Sequence, residues 1–82
     1  MEIKIALARV LKSQRVRRKL PQTALAKLIG SSQSRVAKME SGDPSVSADL
    51  LLRSALALGT PRTLLARAMR ASTRRVARAR RA

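Results

Sequence analysis

Apolar residues recur every three or four positions along most of this chain, the period of helices that bury one side. Ile3, Leu7, Val10 and Leu11, with Lys4, Arg9 and Lys12 between them, predict a first helix over residues 3–18. Pro21 disfavours helical geometry at Leu20, so the chain turns there. The stretch "PQTALAKLIG" then predicts a short second helix, with Pro21 or Gln22 in its first turn, Leu25, Leu28 and Ile29 as its apolar set, and Gly30 as a left-handed stop.

Ser31 and Ser32 offer a side-chain oxygen to cap a third helix, Gln33–Glu40, which Gly42 closes in the same way. Asp43 and Pro44 make a stiff loop, after which Ser47 caps a fourth helix over 48–58 and Gly59 stops it. Leu50, Leu51, Leu52, Ala55, Leu56 and Leu58 cover more than one face of that helix. Such a helix is either the central strut of the domain or partly covered by a second subunit. Thr60 and Pro61 form a cap and first-position pair opening a fifth helix, with Leu64, Leu65, Ala68 and Met69 as its stripe.

From Ala71 the pattern changes to "ASTRRVARARRA", with five arginines, no acid and only Val76 as a sizeable apolar group. The chain therefore divides into an all-α, five-helix domain over 1–70 and a basic C-terminal tail over 71–82, expected as a frayed helix or disordered because dense like charges repel.

Composition narrows the chemistry. There is no Phe, Trp or Tyr, so the core must be built from Leu, Ile, Val, Ala and Met at close helix contacts. There is no cysteine or histidine, and the acids are Glu2, Glu40, Asp43 and Asp49 alone. The usual nucleophile, base and metal-ligand sets cannot be assembled from these, which predicts a non-enzyme without cofactor or metal. Nineteen Lys and Arg against those four acids give a formal charge of +15, favouring nucleic acid first, anionic membrane second and an acidic protein third as partner. Apolar runs fall far short of the roughly 20 residues of a spanning helix, and the N-terminal stretch puts its charges after its apolar part, unlike a signal peptide. The expected location is the cytoplasm, with the nucleoid.

Two short helices joined by a glycine-containing turn, inside a basic all-helical domain, have the outline of a helix-turn-helix. The faces of the third helix sharpen it. At about 100° per residue, Val36 and Met39 lie about 60° apart and define an inward side. Ser34, Ala37, Lys38 and Ser41 cluster opposite, flanked by Gln33 and Arg35. Gln can bond adenine bidentately and Arg or Lys guanine, and a small Ala at the outward centre lets a helix settle into a major groove. Glu40 projects about 40° from Val36, at the margin of the core. A carboxylate there needs a cation, and the first helix offers Arg15 or Arg18.

The stretch "PQTALAKLIGSSQSRVAKMESG", followed by "SVSADLLLRSALALG", resembles the phage-repressor family of lambda Cro and xenobiotic-response-element type regulators over residues 11–59. Its marks are the glutamine opening the second helix, Leu25 with Ala26, the Gly30 turn, Ser-Gln-Ser opening the third helix, "ESG" at its close and "ALG" at the end of the fourth. The resemblance implies a lambda-repressor-like domain that binds double-stranded operator DNA as a symmetric homodimer, the third helix in the major groove. It implies that Gln22 clamps a phosphate, that Ser32 caps the third helix and contacts the backbone, and that Gln33, Ser34 and Lys38 face bases or phosphates. Arg35, from the face analysis, completes the set. It further implies an ion pair between Arg15 and Glu40. Two positions depart from the family: Pro21 stands where a Thr, Ser or Asn cap is usual, and Asp43 with Pro44 where a cationic residue is frequent.

A reading of another class is an antitoxin that binds a protein toxin and represses its own operon through the same domain. A third, RNA binding, is disfavoured because single-strand recognition relies on aromatic stacking. Membrane-surface binding is disfavoured because the charges are spread over several helices.

Overall fold

A computed structural model describes the backbone of residues 2–81 and the side chains of residues 3–71. The chain forms α1 (Glu2–Arg17), α2 (Gln22–Ile29), α3 (Gln33–Glu40), α4 (Ala48–Ala57) and α5 (Arg62–Arg81), with no strand among the described residues. The first and fourth helices end one residue earlier than the apolar pattern predicts. Arg18 and Leu58 still donate to the carbonyls four residues back, Gln14 (3.2 Å) and Ser54 (3.0 Å), and each is the step from helix into the turn that follows.

That turn recurs. After α1, α2, α3 and α4 a left-handed residue reverses the chain, and the next N–H reaches back five residues: Leu20 to Arg15 (3.1 Å), Ser31 to Ala26 (2.8 Å), Asp43 to Lys38 (3.1 Å) and Thr60 to Ala55 (3.0 Å). Glycine holds three of the four positions. The fourth is Lys19 at φ 57°, a conformation that crowds its Cβ.

The helix starts differ. Ser32 Oγ accepts from the N–H of Arg35 (3.2 Å) and Ser47 Oγ from that of Leu50 (3.1 Å). Pro21 precedes α2 in extended geometry and supplies no side-chain cap. The cap expected from Thr60 is not made: its Oγ1 is buried and lacks a hydrogen-bond partner among the described residues. Pro61 takes over the entry to α5, its carbonyl accepting from the N–H of Leu64 (3.1 Å) and Leu65 (3.3 Å).

α1 is the spine, packed against α3, α4 and α5, while α2 packs on α3 and α4. Leu7, Leu11, Leu25, Val36, Met39, Val46 and Leu51 are fully buried where these helices meet. Each such side chain contributes about 1.5–3 kcal/mol relative to exposure. Ala8, Ala26 and Ala55 are buried beside them and let the helices approach closely without rings to fill the space. On α4 and at its C-cap, Leu51, Ala55 and Leu58 face inward, Leu50 and Leu52 are half-buried and Leu56 is exposed. Buried Gln14 receives Arg18 Nη1 on its side-chain oxygen, and Arg18 Nη2 donates to the Gly59 carbonyl (2.9 Å), tying α1 to the α4–α5 turn. The backbone of α5 is helical to Arg81, and the side chains of the expected basic tail lie outside the described residues from position 72 onward. No helix among the described residues is long and apolar enough to cross a membrane.

Candidate nucleic-acid interface

Val36 and Met39 are buried, so the sequence around them fixes which way α3 turns. Ser34, Arg35, Ala37 and Lys38 are left exposed, with Gln33 and Ser32 at the N-terminal end. Ser32 Oγ and Ser34 Oγ lie 3.2 Å apart and share a hydrogen bond. The Arg35 and Lys38 side chains have no bonded partner among the described residues, so both ammonium and guanidinium are available to an anion.

Behind that edge sits a polar cluster centred on Glu40. Its side chain is only 3% exposed and that of Arg15 12%. Arg15 Nε donates to Glu40 Oε2 (2.6 Å) and Arg15 Nη2 to Oε1 (3.0 Å), a two-point match of guanidinium to carboxylate. The remaining nitrogen, Nη1, donates to the Leu20 carbonyl (2.7 Å) and holds the α1–α2 turn. Hydrogen bonding to Glu40 raises the Arg15 pKa above its ordinary value, burial opposes this and the Glu40 charge adds to it. Arg15 is the partner that Glu40 takes, while Arg18 is spent on Gln14 and Gly59.

The same carboxylate orients the start of α2. Gln22 Nε2 donates to Glu40 Oε1 (3.2 Å), and Gln33 Nε2 donates to Gln22 Oε1 (3.4 Å). A carboxylate accepts only, so it forces the Gln22 amide to present its nitrogen inward and its oxygen outward. The sequence pattern places Gln22 and Gln33 separately; the bond from Gln22 to Glu40 spans 18 residues and has no local signal.

The loop after α3 resolves the departure at Asp43. Asp43 Oδ1 accepts from the Ser45 N–H (2.8 Å) and hydroxyl (2.7 Å). These two bonds, the hydroxyl first, pull its pKa below the usual carboxylate value, with smaller help from the charges of Lys38 and Lys4. Lys4 Nζ also donates to the Pro44 carbonyl (3.1 Å). The acid is thus occupied internally and bracketed by cations. An Asp followed two residues later by Ser is the signal that could have found this turn. Among the described residues no cluster of acids could hold a metal ion.

Of the residues singled out from the sequence, Gln22, Gln33, Arg15 and Glu40 form one connected set and Ser32 with Ser34 a second, while Arg35 and Lys38 stand free on the same helix. A family model described as a helix-turn-helix domain matches residues 6–68, which include every one of these positions. No curated protein and no solved structure gives a significant match to the chain.

Proposed function

The chain belongs to this helix-turn-helix domain family, and on that premise we propose that it is a sequence-specific DNA-binding regulator of repressor type, binding two-fold operators as a homodimer with α3 in the major groove. The observation that carries the reading is the relay from Glu40 through Gln22 to Gln33. An amide nitrogen has two N–H groups. One on Gln33 is used on Gln22, leaving the second N–H and Oε1 free for the N7 and N6 edge of adenine. Likewise one N–H of Gln22 is held by Glu40, and the other is free for a phosphate oxygen.

In this reading Ser32 and Ser34 donate hydroxyls at the groove edge, and Arg35 and Lys38 reach guanine or the flanking backbone. Charge supplies the sequence-independent share: with a formal +15, affinity falls steeply with salt as condensed counterions are released. The arginines of segment 71–82 act as an arm along the phosphates, adding affinity without sequence information. The function is non-enzymatic, needs no cofactor and is exercised on the nucleoid in the cytoplasm. Selection from random duplexes tests it: a palindromic consensus with adenine at one position of each half-site is expected, and recovery of no consensus overturns the proposal.

A further inference from the structure

One side of the molecule is neither core nor part of the DNA-reading edge. Leu28 on α2 is 53% exposed and Leu56 on α4 41%. Between the two helices Ile29, Leu50, Arg53, Ser54 and Ala57 line an open groove of about 260 Å³. At about 100° per residue, Leu56, Asp49, Arg53, Ala57 and Leu50 succeed one another round the outer side of α4, opposite the buried Leu51 and Ala55. On α4 this surface carries Asp49 and Arg53, paired at 3.0 Å with side chains 67% and 77% exposed, and on α2 exposed Lys27 borders it beside Leu28.

That surface is unusual for this chain. At a formal +15, two copies repel through most of their faces, so self-association is least opposed on the outer side of α4, where an acid offsets a base. Glu40 is buried and Asp43 is held in its loop, leaving Asp49 as the acid displayed on an exposed helix face among the described residues. An acid and a base one turn apart, ringed by leucines, are self-complementary under a two-fold rotation.

We propose that this α2–α4 face is the contact between two copies of the chain, with Asp49 of each copy facing Arg53 of the partner subunit and Leu28, Leu50 and Leu56 closing over the groove. The proposal rests on the two-fold operator binding argued above and names the surface that makes it. It also explains the leucine surplus of α4: the inner leucines serve one chain and the outer ones serve two.

Sedimentation of the full chain without DNA tests it. The wild-type chain is expected to dimerise. Asp49→Arg alone and Arg53→Asp alone each place like charges across the axis and weaken self-association about tenfold or more. Mixed in equal amounts, the two variants regain it, because every cross-axis pair is then Arg with Asp. Leu28→Glu, at an exposed position, also dissociates the dimer while leaving the helical circular dichroism unchanged. A wild-type dimer indifferent to all these changes overturns this face alone and gives it to another occupant, such as a companion protein. A wild-type chain that stays monomeric and occupies single half-sites overturns the two-fold reading with it.

Discussion

Glu40 and Arg15 meet through two hydrogen bonds across 25 residues of sequence, at 2.6 and 3.0 Å, with the carboxylate almost wholly withdrawn from water. Removing one partner leaves the other's charge buried and unpaired, which costs about 3–5 kcal/mol. Arg15→Ala and Glu40→Ala are therefore expected to be severely destabilised in thermal unfolding followed by circular dichroism. The double replacement Arg15→Met with Glu40→Leu is expected to recover most of that loss, since no charge is stranded. It nonetheless loses operator affinity, because Gln22 no longer has an acceptor to orient it. A double variant that binds as well as wild type would show that the orientation of Gln22 is irrelevant to binding.

The left-handed residue ending α1 is a lysine where the equivalent turns use glycine. Relief of its Cβ crowding exceeds the added freedom of the unfolded chain, so Lys19→Gly is expected to stabilise the protein by about 1 kcal/mol. For a domain of this size that is a rise of roughly 4–8 °C in Tm. An unchanged or lowered Tm would mean that the Lys19 side chain contributes something its geometry does not reveal.

If α3 reads bases as proposed, Gln33→Ala is expected to lose about 1–3 kcal/mol of discrimination at one base pair of each half-site. Lys38→Ala also relaxes operator preference. Truncation after Ala71 removes five arginines and lowers affinity for every sequence alike, flattening the dependence of binding on salt. Competition binding over a salt series separates the two behaviours. If the α3 substitutions leave selectivity intact, the reader lies elsewhere.

Asp43 titrates below the ordinary carboxylate value because Ser45 bonds its ionised form. A carboxyl with a depressed folded pKa stabilises the fold above its unfolded pKa of about 3.9, and that contribution is lost as pH falls through the folded value. A carboxyl-detected NMR titration is expected to show the depression. Ser45→Ala removes the hydroxyl, the larger of the two bonds, and shifts the midpoint upward.

What could be read from the sequence divides along physical lines. Gly30, Ser32, Ser47 and Gly59 announce themselves because a cap or a stop is decided within four residues, and Val36 with Met39 fixes the face of α3 by period alone. Thr60 misleads for the same local reason: a Thr before a Pro has the composition of a cap, yet the chain enters α5 through Pro61 and leaves the hydroxyl buried without a bond among the described residues. Lys19 carries no mark of its left-handed backbone, since nothing in a lysine asks for one. The choice between Arg15 and Arg18, and the bond of Gln22 to Glu40, depend on how α1, α2 and α3 converge, which periodicity does not encode. The leucine surplus of the fourth helix signals an outer apolar side, but the groove that Ile29 shares with Leu50 and Ala57 depends on how α2 and α4 meet, which neither pattern encodes.

The carboxylate of Glu40 belongs at once to the interior, through Arg15, and to the start of α2, through Gln22. Among the described residues, the side chains of Ser34, Arg35 and Lys38 form no such link to the interior, being exposed and bonded to nothing deeper than the serine cap. Under the proposed function, substitutions at those three sites are expected to exchange one target for another at little risk to the fold. Glu40, Gln22 and Arg15 are bonded to one another and are expected to change together, a fixed frame beneath a surface that can be rewritten.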